Sequence, residues 1–332
     1  MVEIRLNDNV PTALRDAEIG SFADLFCGIG GFHYAARSLG LRCVFASDID
    51  DACRNQYEHN LGIWPRGDIA TISAPSVPDH DILFAGFPCQ PFSIMGDMNG
   101  MKDARGTLFL DILRVLETKK PEAVVLENVR QFASFGRGEP LNQVLDGLSN
   151  LGYSVLWKIL NALDFGLPQK RERTIIVGIQ GGMTHFQWPE PKKSRKPLSD
   201  ILETRPDRRH FVSEGIRRKR LEAHKPRTKP AIWHENKAGN ISSHPFSCAL
   251  RAGASYNYLL VDGERRLTPR EQLRLQGFPE SFEVIGNDGQ IRKQTGNAVP
   301  VPMVRAVIRE VLYAASENSR RIEHAETRAL SA

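Results

Sequence analysis

The sequence predicts an α/β fold, in which a doubly wound, mostly parallel sheet is joined to a second, small irregular domain. Three observations support this prediction. Short apolar runs alternate with amphipathic helical segments through the first half of the chain, a pattern typical of parallel sheets covered by helices. A glycine turn follows the first apolar run. After residue 187 the periodicity stops, and a stretch rich in proline and basic residues begins.

These patterns divide the chain into a large domain (1–187), a small domain (188–265) and a C-terminal segment (266–332) that returns to the large domain. Strands are predicted at 21–26, 41–47, 67–69, 81–85, 123–126, 155–160 and 174–179. Helices are predicted at 32–39, 52–60, 108–119, 141–151, 268–277 and 301–315. The charged residues 317–332 are expected to fray, and residues 294–300 are expected to form a turn.

The composition is that of an ordinary globular protein. Of the 332 residues, 41% are apolar and 25% are charged, and no run approaches the length of a membrane span. The N-terminus lacks a signal-peptide pattern. The five cysteines include no CxxC pair, which disfavours a zinc site or a disulfide framework and favours a reducing, cytoplasmic setting.

The net charge of +5 is unevenly distributed. Residues 190–237 hold fifteen Lys and Arg against seven Asp and Glu, a local charge of +8 that leaves about −3 for the rest of the chain. A basic segment on an otherwise neutral protein is typical of proteins that bind a polyanion. A solvated linker explains the charge equally well.

The glycine turn at Cys27–Gly31 is the first candidate binding site. Such a turn lets the backbone approach a ligand and opens a helix whose N-terminus favours negative charge. Asp48 ends the second strand twenty residues after Gly28, where a carboxylate can accept hydrogen bonds from a ribose. Asp68 could accept from an adenine amino group. The full GxGxxG is missing, so a dinucleotide is not specifically indicated, and S-adenosylmethionine suits the same geometry. The alternative is a tight turn without a ligand.

Cys89 lies on a turn between Pro88 and Pro91, just beyond the strand predicted at 81–85. Loops at this position carry the chemistry of open α/β sheets. A thiol with an ordinary pKa of ~8.5 needs help to ionise at neutral pH. Glu127, at the end of a neighbouring strand, could be the acid that activates an electrophile for the thiolate. Taken alone, the two residues are better explained as a small apolar cysteine in a turn and a surface acid.

Arg171 and Arg173 alternate on the extended segment before the last strand of the large domain. Alternating residues of an extended chain share a face, and two guanidinium groups can grip a base oxygen, a phosphate or a carboxylate. The alternative is a salt-bridged sheet edge with Glu172 as an exposed neighbour.

The sequence resembles the DNA (cytosine-5)-methyltransferases, especially the compact bacterial modification enzymes. The matching motifs come in the family's order and cover roughly residues 21–186 and 265–315. They are Asp24–Gly31, Gly67–Ile69, Gly86–Ser93, Arg105–Phe109, Glu127–Val129, Asn161–Gly166, Gln169–Arg173, Arg266–Glu271, Gln276–Pro279 and Gly296-Asn297. Each motif is weak alone, whereas the ordered set is very specific. The resemblance implies a Rossmann-like methyltransferase fold, with catalysis and cofactor binding in 1–187 and target recognition in 188–265.

The resemblance also implies a mechanism. Cys89 would add to C6 of a cytosine that is flipped out of the duplex. Glu127 would hold the ring nitrogen N3 and the amino group and supply a proton. Arg173 would contact the base O2, with Arg171 supporting it. C5 would then attack the methyl group of the cofactor, and loss of the C5 proton and of Cys89 would complete the cycle.

Further site residues follow from the matched motifs. The residues implied for S-adenosyl-L-methionine are Phe26, Gly28, Gly30, Asp48, Ile49, Asp68, Ile69 and Asn297. Those implied for DNA are Gln90, Ser93 and Arg105, the last within a loop at 95–106 that would close over the base. Side-chain chemistry adds Arg251, Ser255, Tyr256 and Asn257 as base readers, although these four residues could instead only shape a turn. Ile49 and Ala298 depart from the tryptophan and serine frequent in the family. No metal is expected.

The predicted function is sequence-specific DNA cytosine C5 methylation, as in a restriction–modification system. Double-stranded DNA is the predicted partner, a cognate restriction endonuclease would be a separate protein, and the chain is expected to be a monomer. A tRNA cytosine-5 methyltransferase is the first alternative, because a tRNA-modifying branch shares these motifs. A catalytically silent DNA-binding regulator is the second, and the intact Cys89, Glu127 and Arg173 argue against it. A nicotinamide dehydrogenase would leave Cys89 unexplained.

Overall fold

A six-stranded sheet forms the centre of the molecule. The computed structural model describes residues 20–88, 107–226 and 228–330, with side chains as far as residue 318. The strand order is β2-β1-β3-β4-β7-β5. The strands are β1 (Ser21–Leu25), β2 (Arg42–Ser47), β3 (Ile82–Gly86), β4 (Ala123–Val129), β5 (Ser154–Asn161) and β7 (Glu172–Ile179). The first four in chain order are parallel, whereas β7 is antiparallel to both β4 and β5. The predicted mostly parallel sheet is confirmed.

Helices cover both faces of the sheet, and the central strands are accordingly mostly apolar. The helices of the first half are α1 (Gly31–Arg37), α2 (Asp51–Leu61), α3 (Thr107–Lys119) and α4 (Glu139–Asn150). One core cluster joins α1 to the sheet through Phe32 and Phe84, and the opposite cluster joins α3 and α4 to it through Ile112 and Val144. These elements have ends within three residues of the prediction.

The strand predicted at 67–69 is wrong. Arg66 forms only an isolated bridge with Ser47. Asp68 then caps a short 3₁₀ turn, Ile69–Thr71, because its Oδ1 accepts a hydrogen bond from the Ala70 N–H at 3.0 Å. A short acidic side chain that bonds its own backbone favours turns over strands, and this local bond replaces a sheet ladder here.

Residues 188–265 contain more regular structure than their pattern indicates. A three-stranded antiparallel sheet has the order β11-β8-β9. Its strands are β8 (Ile232–Glu235), β9 (Ile241–His244) and β11 (Leu259–Val261), beside the helix α5 (Glu214–Ala223). Strands of three or four residues are too short to show a period of two. A further pair, β10 (Ser247–Cys248) with β6 (Gln169–Lys170), carries backbone hydrogen bonds across the predicted boundary. The domain limits stay a prediction.

Three helices form the C-terminal segment: α6 (Pro269–Gln276), α7 (Asp288–Asn297) and α8 (Val301–Leu330). Helix α6 begins at the predicted place with a Thr268–Glu271 capping box. Helix α7 was not predicted, although Asn287 and Gln290 form a capping box at its start. The predicted fraying from residue 317 is wrong, because α8 continues to Leu330. Its apolar face packs against α1 and the sheet, which confirms the predicted return to the first half.

Candidate active site

One edge of the central sheet collects most of the predicted site residues. The carboxyl ends of β1 to β4 meet there, and antiparallel β7 brings its first residues, not its last, to the same edge. A cleft at this edge is lined by Phe26, Gly28, Asp48, Ile49, Glu127, Arg171, Arg173 and Asn297. Pro88 also lines the cleft. Cys89, Gln90, Ser93 and Arg105 lie outside the described residues.

The turn after β1 is built from backbone in unusual conformations. Phe26 has φ 55°, Gly28 φ 54° and Gly30 φ 85°. Gly28 presents its N–H to the carboxylate of Asp48, with 2.8 Å between Gly28 N and Asp48 Oδ2. A Cβ on Gly30 would lie 2.5 Å from the Leu61 side chain, so glycine allows α1 to begin against α2. The turn therefore exposes main chain to the cleft.

Asp48 is fixed by two backbone donors. Besides the Gly28 N–H, the Asp50 N–H donates to Asp48 Oδ1 at 2.8 Å. Burial raises the pKa of Asp48, and these two hydrogen bonds lower it only in part. Beneath it, Asp24 is fully buried on β1, and its oxygens have no hydrogen-bond partner among the described residues. Burial and the charge of Asp48 raise the pKa of Asp24 well above its usual range, which favours its protonated form.

Asp50 and Lys293 form an ion pair at the rim of the cleft that was not predicted. Their Nζ–Oδ2 distance is 2.6 Å. The Lys293 hydrogen bond holds the pKa of Asp50 below its usual value, and Asp50 also caps α2 by accepting from the Ala52 N–H. The pair joins the end of β2 to α7, two elements more than 200 residues apart. Such a contact has no local sequence signal.

Three predicted cofactor residues do not line the cleft. Gly30 packs against α2, Asp68 caps its 3₁₀ turn, and Ile69 is buried in the core beneath α3. These contacts explain the three residue types without a bound ligand. Their roles toward the cofactor stay predictions.

Glu127 and Arg173 form a buried ion pair in the cleft. Glu127 is 6% exposed, and the distance from Arg173 Nε to Glu127 Oε1 is 2.7 Å. Register places Arg173 opposite Val129, two residues beyond Glu127 on β4. Burial raises the pKa of Glu127, and the neighbouring charges of Arg173 and Arg171 lower it only in part. A carboxyl group in this setting can hold a proton and donate it to a ring nitrogen.

Asn128 connects the end of β4 to the turn that leads to Cys89. Its Nδ2 donates to the Phe87 carbonyl oxygen at 3.1 Å, and its Oδ1 accepts from the Val129 N–H at 2.8 Å. The buried amide therefore fixes the position of Phe87 relative to Glu127. Sequence reasoning did not assign Asn128 a role of its own, and its place within the Glu127–Val129 motif was the available signal.

Arg171 shares the cleft with Arg173, as their alternation predicts, but its contacts are with main chain. Its Nη1 donates to the Leu250 carbonyl at 2.7 Å, and its Nη2 donates to the Gly296 and Ala298 carbonyls at 2.8 and 2.7 Å. Burial lowers the pKa of Arg171 well below its usual range. Its predicted catalytic role, support of Arg173, stays a prediction.

The four predicted base readers lie on the loop between β10 and β11, outside the lining of the cleft. Arg251, Ser255 and Tyr256 are exposed and Asn257 is half-buried. The ring of Tyr256, 47% exposed, lies between the guanidinium groups of Arg266 and Arg292, with centroid distances of 4.6 and 4.8 Å. These contacts place two positive charges beside the Tyr256 ring, and the base-reading role of the loop stays a prediction.

No group of three His, Cys, Asp or Glu side chains within residues 20–88, 107–226 and 228–318 could hold a metal ion. No helix in the described part of the chain is both long and apolar enough to cross a membrane.

Comparison with known proteins identifies the family. A sequence profile for C-5 cytosine-specific DNA methylase matches residues 20–313. The chain is 50% identical over 303 residues to the Type II methyltransferase M.NgoBI of Neisseria gonorrhoeae, covering 90% of this chain and 95% of that protein. It is 48% identical over 305 residues to the Type II methyltransferase M.HaeII of Haemophilus aegyptius, covering 91% and 96%. The crystal structure of S. pombe Dnmt2 methyltransferase has a TM-score of 0.67 and 25% identity, covering 88% of this chain and 98% of that one. The chain therefore belongs to the C-5 cytosine-specific DNA methylase family.

Proposed function

We propose that this DNA cytosine-5 methyltransferase is a Type II modification enzyme that methylates a flipped-out cytosine in duplex DNA, with Cys89 as its nucleophile. The observation that carries the proposal is the buried Glu127–Arg173 pair, which faces the same cleft as the Gly28–Asp48 turn. Its relatives in Neisseria gonorrhoeae and Haemophilus aegyptius are named Type II methyltransferases. A separate restriction endonuclease and a monomeric methylase belong to the same proposal.

S-adenosyl-L-methionine is the cofactor that membership of this family implies, and it supplies an electrophilic methyl group. The cleft fits it in two ways. Ile49 lies at the mouth with 73% of its surface exposed, an apolar patch suited to the face of an adenine. Asp48 lies at the end of β2 with its carboxylate fixed by backbone donors, where it can accept hydrogen bonds from ribose hydroxyls. Phe26 and Asn297 would complete the site.

The base half of the cleft would activate the cytosine ring. Arg173 holds Glu127 by its Nε and donates to the Glu172 carbonyl from its Nη1 at 2.8 Å. Its remaining N–H donors would contact the base O2. The buried Glu127 carboxyl, whose pKa burial raises, would donate a proton to N3 as the Cys89 thiolate forms a bond to C6. The ring then stays neutral while C5 becomes nucleophilic. C5 would then take the methyl group that the cofactor supplies. Loss of the C5 proton to water, return of the N3 proton to Glu127 and cleavage of the Cys89–C6 bond would regenerate the Glu127 carboxyl group and the Cys89 thiolate.

Residues 188–265 would recognise the target. The local charge of +8 over residues 190–237 supports binding to phosphates, which gives affinity without sequence information. The exposed loop at 251–257, with Arg266 and Arg292 against Tyr256, offers donors and an aromatic face for base contacts.

Bisulfite sequencing of DNA from a host that expresses the protein tests this function. We expect 5-methylcytosine in one short sequence context, and none from a Cys89→Ser variant that still binds DNA and S-adenosylhomocysteine. Methylation of tRNA without methylation of duplex DNA would assign the chain to the tRNA-modifying branch. Normal turnover by the Cys89→Ser variant would contradict the covalent mechanism.

A further inference from the structure

A single guanidinium group joins two distant parts of this chain. Arg171 is completely buried, and its terminal nitrogens donate to three main-chain carbonyls. One carbonyl, that of Leu250, belongs to the loop that leads to the proposed base readers. The other two, of Gly296 and Ala298, belong to the wall of the cleft where the cofactor is proposed to bind. Arg171 itself lies 79 residues before the first and 125 residues before the second.

The two segments are in direct contact beside Arg171. A Cβ at Gly296 would overlap the backbone of Arg251 and Ala252, so the loop and the wall pack main chain to main chain. Gln169, on the same strand as Lys170, adds a second tie because its Oε1 accepts from the Leu250 N–H at 3.0 Å. The peptide groups around Leu250 are therefore held from both sides by residues 169–171.

Each segment continues directly into a proposed binding surface. Leu250 precedes Arg251, whose guanidinium stacks on the Tyr258 ring at 4.9 Å. Gly296 and Ala298 flank Asn297, which lines the cleft. A shift of either segment would remove a carbonyl from the buried guanidinium, and buried polar groups without partners are costly. The loop and the wall therefore change position together or not at all.

We propose that Arg171 is a positioning residue that couples DNA binding at the 250–257 loop to cofactor binding in the cleft. The proposal rests on the proposed function, because it takes duplex DNA and S-adenosylmethionine as the two ligands. Arginine suits this task since its planar fork donates several hydrogen bonds in fixed directions, whereas lysine offers one compact donor group. By thermodynamic linkage the coupling is reciprocal: each ligand tightens binding of the other by the same factor.

The test compares the factor by which DNA tightens cofactor binding in the wild-type protein and in Arg171→Lys. Calorimetry gives the Kd of S-adenosylhomocysteine for the full chain with and without a duplex that carries the methylated context. For the wild-type protein we expect the duplex to tighten binding at least about fivefold. For Arg171→Lys we expect the ratio of the two S-adenosylhomocysteine Kd values to fall close to one. The ratio of the DNA Kd values measured without and with S-adenosylhomocysteine should fall by the same factor.

Arg265→Lys is the matched control. Arg265 is also buried, but it forms a two-pronged ion pair, at 2.7 and 2.8 Å, with Glu271 of α6, only six residues away in the chain. We expect this variant to lose stability and keep the wild-type ratio. A simple loss of stability therefore does not imitate the effect expected of Arg171→Lys.

Three results would overturn the proposal: a wild-type ratio near one, a wild-type ratio in Arg171→Lys, or an equal fall in Arg265→Lys. If Arg171→Lys does not fold, Gly296→Ala disturbs the same contact from the other side, and an unchanged ratio in that variant also overturns the proposal. Methyl transfer by a wild-type protein that shows no coupling would reject this inference and leave the proposed function standing. Absence of methyl transfer would reject the function, whatever the ratio.

Discussion

The cofactor side and the base side of the cleft are held in place by different kinds of groups. On the cofactor side, main-chain N–H groups of Gly28 and Asp50 fix a single carboxylate, Asp48. On the base side, two charged side chains, Glu127 and Arg173, hold each other in place, and both are almost fully buried. One side depends on the course of the backbone, and the other depends on the charge of specific side chains.

This difference predicts unequal tolerance to substitution. A site held by main-chain groups should keep its shape when neighbouring side chains change, so the cofactor side should tolerate side-chain substitution better. A buried ion pair has no such freedom, because removing one partner leaves the other charge buried without compensation. Substitutions that probe the two sides should therefore differ in size and in the kinetic constant that they change.

The largest effect is expected from Glu127→Gln. The variant keeps the size of the side chain, but it cannot carry the transferable proton, and it cannot form the charged pair with Arg173 that the deprotonated carboxylate forms. We expect the single-turnover rate of methyl transfer to fall by about 10²–10⁴-fold, the usual contribution of a general acid, with cofactor affinity unchanged. Because the raised pKa of Glu127 keeps the acid loaded to higher pH, the wild-type rate should decline as pH rises through that pKa, and the variant should lack this decline.

Glu172→Gln is the control for that measurement. Glu172 is the neighbouring acid on β7, and it pairs with exposed Arg130 at 2.9 Å. Its neutralisation should leave the rate and the pH profile near those of the wild-type protein. A wild-type rate in Glu127→Gln would show that the base side does not act through this carboxyl group.

An intermediate effect is expected from Asp48→Ala on the cofactor side. The Gly28 and Asp50 N–H groups lose their acceptor, and the proposed ribose contact disappears. We expect the Kd of S-adenosylmethionine to rise by about 10-fold, or ~1.4 kcal/mol, with the rate at saturating cofactor largely retained. Calorimetry measures the Kd, and saturation kinetics measure the rate at saturating cofactor. A large fall in the saturated rate without a change in Kd would contradict the division of the cleft into two sides.

The smallest effect is expected from Lys293→Gln at the rim. The Lys293–Asp50 pair is short, but the lysine side chain is 60% exposed, and exposed ion pairs contribute about 0–1 kcal/mol. The Kd of S-adenosylmethionine should change by less than about fivefold. The difference from the wild-type protein should shrink in high salt, because ions screen exposed charges. If Lys293→Gln raised the Kd of S-adenosylmethionine as much as Asp48→Ala, Lys293 would have to contact the cofactor directly.

The sequence predicted the parts of the site that depend on local pattern. The common location of Asp48, Glu127 and Arg173 in the cleft follows from local pattern, because the first two each follow a short apolar run and Arg173 alternates with Arg171. Their roles toward cofactor and base come from the family resemblance and stay predictions. The Asp50–Lys293 pair and the carbonyl partners of Arg171 were not found, since they join segments far apart in the chain. Helix α7 was missed because its capping residues, Asn287 and Gln290, were not recognised as a helix start.

Antiparallel β7 makes the cleft sensitive to chain length on one side only. The chain reaches Arg173 through residues 162–171, at the edge where the cleft lies, and leaves β7 at Ile179 on the opposite edge. Deleting one residue before Arg173 would shift the register and turn its side chain to the other face of the sheet. Insertions after Ile179 fall on the far edge and leave Arg173 beside Glu127. Length variants of this enzyme are therefore best designed behind the sheet, at the exposed Gly181 and short of Phe186, which is buried in the core.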